Sequence, residues 1–275
     1  MAANLELQRV NEWDGLRGFA NLTRKEKRSW LGTRRWWINL LLWPVLIGGF
    51  VANMIFVPTM VNLASPEEVA KAGGATAYAI LMGLSVFFEF GVQVVGIGII
   101  ILCQDLIIDE KQSGVTEWIL TKPVTRRAYV LAKLLTNMVF ILLFLVGIPA
   151  ALTYILFYIR TGAPFPWLPF MVGVYIMSLH SLFYLTLTLM LGTFFSSRPP
   201  VLGIALGVLL GGNLLAGLIK PLLYVTPWTL AKMASLVASS QPVPYKLLLL
   251  PIAATAIWCV VFVIVALTKF EKTEF

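Results

Sequence analysis

Apolar runs of about 18 residues or more recur along almost the whole chain. That pattern leaves few folds open. A helix rising about 1.5 Å per residue crosses a ~30 Å hydrocarbon core in such a run. Backbone polar groups find no water in lipid, so a spanning segment is either a helix or part of a closed barrel. The runs lack the alternation over ~10 residues that a barrel strand shows. Of 275 residues, 59% are hydrophobic and 12% charged, against roughly 25% charged in a soluble domain. The sequence therefore reads as an all-α polytopic membrane protein and excludes a soluble enzyme.

Six spans are expected, near Trp37–Met60, Tyr78–Gln104, Ala128–Ile159, Leu168–Phe195, Pro200–Tyr224 and Leu247–Thr268. Pro149 predicts a kink in the long third span. Lys and Arg total sixteen on the side holding both termini and five on the other. The positive-inside rule then puts both termini in the cytosol, with the chain in the plasma (inner) membrane. This bias, with some attraction to anionic lipid, accounts for the net charge of +8 without nucleic acid. The first 35 residues are basic and lack the apolar core of a secretory signal. Residues 1–36 are the expected cytosolic or interfacial part, and 37–275 the transmembrane domain. Within 13–35, Trp13, Leu16, Phe19, Leu22 and Trp30 share a helix with a basic face, which suits an interfacial amphipathic helix. The Asn21-Leu22-Thr23 sequon falls on the cytosolic side and carries no glycan expectation.

The loop 105–127 is the most charged stretch beyond the N-terminus, yet it contains Trp118, Ile119 and Leu120. A free loop has no reason to expose three large apolar residues in a row. This surface either packs on another part of the chain or plugs into a partner. Gly114 can break the helix that leaves span two. Val115–Leu120 then forms one or two helical turns, which Pro123 stops. Thr125 is the expected N-cap of span three. Arg126 and Arg127 follow in the first turn, where each opposes the helix dipole by about 0.3–1 kcal/mol. Topology or a contact must outweigh that cost.

The pattern Glu110-x-x-x-Gly114-x-x-Glu117-x-x-Leu120-x-x-Pro123-x-x-Arg126, ending near Lys133, resembles the cytosolic signature of type-2 ABC exporter permeases. The six spans, the amphipathic N-terminal helix and Leu223-Tyr-Val-Thr-Pro227-Trp fit the same family. Val115 departs from it, since Thr is common there. The resemblance implies a transmembrane permease subunit that pairs with a second permease copy or homologue. Each half would dock on a cytosolic ATP-binding subunit, two copies in all, through Glu110, Gly114, Glu117, Leu120, Pro123 and Arg126. Trp118 is the candidate apolar anchor beside Glu117. This chain has no G-x-x-x-x-G-K-[ST] phosphate loop. It is therefore expected to be no enzyme and to bind no cofactor itself, with ATP and Mg held by the partner. Closure of the ATP-binding subunits would move Thr116–Leu120 and turn spans two and three as levers.

Glu89 is the one acid deep in a span, with Gln93 one turn below it. A charge there costs at least about 2–3 kcal/mol unless it faces a polar interior or wet cavity. It is either part of a substrate path or a hydrogen-bonded structural carboxylate. His180 is its candidate partner, or else a packing histidine. Cys103 and Cys259 read as packing residues, two Cys being too few for a disulfide scaffold, and one His excludes a zinc site that needs two. No metal site is expected. Gly203, Gly207 and Gly211 repeat at four-residue spacing and allow a dimer seam. Residues 225–246 are a candidate external re-entrant segment or lid, or a surface loop.

Three functions compete. The first is a permease that moves an amphipathic or hydrophobic substrate. The second is a membrane anchor that transmits ATPase motion without transport. The third, an intramembrane enzyme, lacks H-E-x-x-H, G-x-S-x-G and a paired Asp motif.

Overall fold

The computed structural model describes residues 15–58 and 64–273, the side chains of 213, 214, 216 and 217 excepted. Trp13, Met60 and the last two residues lie outside them. The described residues form helices and turns, with no strand. Helix α1 (Phe19–Leu31) precedes α2 (Arg35–Phe56). A short helix, α3 (Pro66–Lys71), starts at a capping box in which Ser65 and Glu68 bond reciprocally. The Ser65 backbone and hydroxyl donate to Glu68 and hold its carboxyl below the usual range.

The second long helix runs as α4 (Ala75–Ser85), a π turn (Val86–Phe90) and α5 (Gly91–Cys103). Two short helices, α6 (Ile108–Gln112) and α7 (Val115–Leu120), follow. The third comprises α8 (Arg126–Ile141), a π turn (Leu142–Gly147) and α9 (Ile148–Thr161). Pro149 sits in the first turn of α9. A proline lacks the N–H for the bond to the preceding turn and its ring crowds the carbonyl four residues back, and the π turn accommodates both. Then come α10 (Trp167–Phe194), α11 (Arg198–Leu218), α12 (Leu222–Val225), α13 (Leu230–Ala238) and α14 (Tyr245–Glu271).

Five stretches are long and apolar enough to cross a membrane: Arg35–Phe56, Ala75–Gln112, Arg126–Thr161, Trp167–Phe194 and Tyr245–Glu271. The remaining expected span, Pro200–Tyr224, falls on α11, a helix of 21 residues. Helix α11 stops at Leu218, before Lys220-Pro221, and Pro221 ends it by the same loss of a donor.

Helix α10 is central and packs against α5, α13 and α14. Phe87, Phe88, Phe157, Phe165 and Phe170 form an aromatic cluster at one end of it. Gly98 lets α2 and α5 approach, since a Cβ there would fall 2.0 Å from the Trp43 ring. By contrast, a Cβ on Gly203, Gly207 or Gly211 would meet nothing within 4 Å. The segment 225–246, expected as a re-entrant segment, a lid or a surface loop, contains α13, whose Leu230, Ala231, Ala234, Ser235 and Ala238 are buried.

Candidate functional site

Thr125 takes its expected place as N-cap, accepting from the Ala128 N–H at 3.2 Å. Its own N–H and hydroxyl donate to Arg17 O at 3.1 Å and Gly15 O at 3.0 Å. Residues 15–17 are thereby fastened beside α7. Gly114 is left-handed at φ +70 and caps α7, as its position between two helices requires. Helix α7 covers the expected Val115–Leu120.

Behind α7 lies a charge cluster that joins three helices. Lys133 of α8 donates to Glu110 of α6 at 2.7 Å and to Glu26 of α1 at 3.1 Å. Lys25 also pairs with Glu110. Two carboxylates thus face two ammonium groups and the cluster is neutral. The Tyr129 hydroxyl donates to Glu110 at 2.7 Å. With that proton engaged, the Thr116 hydroxyl, 3.2 Å away, is the donor to the Tyr129 oxygen. The Lys133 side chain is only 3% exposed, and a charge so buried persists only where it is paired. Trp30 secures the far end of α1, donating to Asn137 Oδ1 at 2.9 Å and stacking on Phe140. Of the expected apolar face, Leu22 and Trp30 are buried, with α1 packed on α8, while Leu16 is exposed.

Other contacts complete a platform. Lys111 donates to the C-terminal carbonyls of α10, Gly192 O at 3.2 Å and Thr193 O at 3.0 Å, where a helix end attracts cations. Arg198 pairs with Asp109 and lies 3.6 Å from Asp105. Arg126 donates to Glu271 O and Thr273 O, both at 2.6 Å, while Arg127 pairs with the Glu271 carboxylate. These acceptors at the end of α14 offset the dipole cost that both arginines incur at the start of α8.

The outward side of α7 is different. Thr116 and Ile119 are buried, Leu120 is half-buried, and Glu117 and Pro123 are exposed. Trp118 is 65% exposed; its nearest cationic neighbour is Lys122, 5.0 Å from the ring. The apolar triplet is therefore split. Ile119 packs inward and Trp118 projects. Of the expected coupling residues, Glu110 and Arg126 fasten the platform, Gly114 and Pro123 bound the helix, and Glu117 and Trp118 make its free face.

Glu89 sits in the π turn of the second long helix and lines a cavity of about 380 Å³ with Lys232, Ser235 and Glu68. Gln93 and His180 do not line it. His180 is buried against Tyr184, ring centroids 4.9 Å apart. Cys103 is buried and Cys259 half-buried, both as free thiols.

Lys25, Glu26, Tyr129 and Lys133 were not assigned contacts from the sequence. A signal existed for Glu26, which follows Leu22 and precedes Trp30 at helical spacing. A carboxylate on that buried face requires a cation, and Lys133 is the one set deep in the neighbouring apolar helix.

A family model described as ABC-2 family transporter protein matches residues 20–275. No curated protein matches the chain.

Proposed function

This chain belongs to the ABC-2 transporter family, and from that premise we propose that it is the permease subunit of an ATP-driven exporter, docked through α7 to a separate cytosolic ATP-binding subunit. The single observation that carries this reading is the exposed Glu117–Trp118 face on a short helix whose other side is fastened to the bundle. An exposed tryptophan on a rigid mount is the kind of anchor that dominates protein interfaces. Helix α6, which precedes α7, touches α1 through Lys25, α8 through Lys133 and α10 through its own Lys111, and α8 is tied in turn to α14 by Arg126. A push on α7 would therefore reach four helices together, as a lever needs.

In this reading both termini and α7 face the cytosol of the plasma membrane, and α11 completes six spans. ATP and Mg sit on the partner, present in two copies. A second permease copy or homologue seats on the open Gly203–Gly207–Gly211 stripe of α11, where close helix approach has room. The substrate is amphipathic or hydrophobic and crosses near Glu89.

The test is purification of the full chain from native membranes, followed by reconstitution in liposomes with the ATP-binding subunit it brings. Co-purification and ATP-dependent movement of a lipid-like cargo are expected. A stable preparation with no nucleotide-binding protein would overturn the reading. ATP turnover that never moves cargo would favour an anchor that transmits motion only.

A further inference from the structure

Away from α6 and α7, two adjoining cavities open where α3, α4 and α13 meet. The first, about 380 Å³, is lined by Glu68, Tyr78, Glu89, Lys232 and Ser235 among others. The second, about 670 Å³, sets Ile80, Leu84, Phe165 and Ala238 beside Thr76, Thr161 and Ser240. Lys71, Leu81, Ser239 and Gln241 belong to both, so they form one space, with Glu89 and Lys232 in its first compartment and an apolar strip of Ile80, Leu84 and Phe165 in its second. Both volumes fall in the range of about 300–1,000 Å³ typical of small-molecule sites.

The charges in this space are not equivalent. Glu68 is engaged by Ser65 in the capping box of α3. Glu89 and Lys232 enter none of the ion pairs among the described residues. Each interrupts an otherwise apolar helix, Glu89 between Phe88 and Phe90, and Lys232 between Ala231 and Met233. Charges at such positions are costly and are kept where polar partners meet them. Glu68 and Lys71 are opposite charges three residues apart on α3 and offset each other, which leaves Glu89 and Lys232 as the acid and base of the compartment that enter no ion pair among the described residues. A cationic head alone would leave Lys232 unmatched, and an anionic head alone would leave Glu89 unmatched.

We infer that this space binds a zwitterionic amphiphile, with its ammonium group at Glu89, its phosphate at Lys232 and its apolar chain along Ile80, Leu84 and Phe165. The ligand's role as cargo rests on the permease reading; its binding does not. Ser235, held by the Ser85 hydroxyl at 3.4 Å, floors the charged compartment and offers a further hydroxyl to the phosphate.

The experiment uses the full chain in a non-ionic maltoside, without any ATP-binding subunit. Lysophosphatidylethanolamine is titrated against lysophosphatidic acid and a long-chain primary amine of equal chain length. The zwitterion is expected to bind about fivefold more tightly than either. Glu89→Gln should remove its advantage over the acid, and Lys232→Gln its advantage over the amine. Both side chains are exposed, so both variants should keep the wild-type unfolding temperature. Equal binding of the three amphiphiles, no binding of any, or unchanged affinities in both variants would overturn the inference. Wild-type affinity of a correctly folded Trp118→Ala chain for the ATP-binding subunit, with amphiphile binding intact, would sink the permease reading alone.

Discussion

Lys133 reaches Glu110 at 2.7 Å and Glu26 at 3.1 Å, and so ties the helix before Gly114 to both the N-terminal helix and the third long helix. Removing one member of a buried pair strands the others and costs about 3–5 kcal/mol. We predict that Lys133→Ala lowers the unfolding temperature in detergent and exposes Arg24–Arg28 to trypsin. Adding Glu26→Gln should recover part of the loss. Wild-type cleavage kinetics in Lys133→Ala would show that the cluster does not hold α1.

Trp30→Phe tests the other end of α1. Phenylalanine keeps the stack on Phe140, with ring centroids now 5.1 Å apart, but leaves the buried Asn137 Oδ1 without its donor. An unsatisfied buried acceptor costs about 1–3 kcal/mol. The expected result is a lower unfolding temperature, restored toward wild type by Trp30→Phe combined with Asn137→Leu. Equal stability of Trp30→Phe and wild type would mean that stacking alone secures the helix.

Gly114→Ala should destabilise by about 1–2 kcal/mol through the left-handed backbone alone, because an added Cβ meets nothing within 4 Å. Gly114→Asn should cost less, since Asn tolerates that region better. Thermal unfolding of the two variants checks the order. If alanine and asparagine behave alike, the loss comes from something other than φ.

What was local in the sequence was legible. Gly114, Thr125 and Val115–Leu120 lie where breaker and cap chemistry put them, because a turn or cap depends on residues within a few positions. The charge cluster was not legible, since Lys25 and Glu26 meet Glu110 and Lys133 across 85 and 107 residues. Such pairings are settled by helix packing, which no local pattern encodes. The segment holding α13 reads as a re-entrant segment, a lid or a surface loop, since Lys232 and the nearby Pro227 and Pro242 mask the helix. The buried set Leu230, Ala231, Ala234, Ser235 and Ala238 nonetheless has helical spacing. For α11 the expected span runs to Tyr224, whereas the helix stops at Leu218, shortly before Pro221.

Gly207→Leu addresses the assembly. The site has open space around it, so the variant should fold and keep its unfolding temperature. A bulky side chain on a close-packed helix seam blocks association. If the stripe is the seam between two copies, analytical ultracentrifugation in detergent should show a dimer for wild type and a monomer for Gly207→Leu. A dimer that survives Gly207→Leu would place the seam elsewhere.

The central claim is that Trp118 docks the ATP-binding subunit. Its ring is exposed and holds none of the bundle together, so Trp118→Ala should insert and unfold as wild type does. Burial of such an anchor contributes on the order of 2 kcal/mol or more. Glu117→Ala should cost less, about 0–1 kcal/mol, if its pair stays solvent-exposed. The decisive measurement is the equilibrium affinity of the purified ATP-binding subunit for Trp118→Ala in detergent, with thermal unfolding of the same sample as control. A fall of about thirtyfold with unchanged unfolding is the predicted result. Wild-type affinity in a correctly folded Trp118→Ala protein would contradict the account.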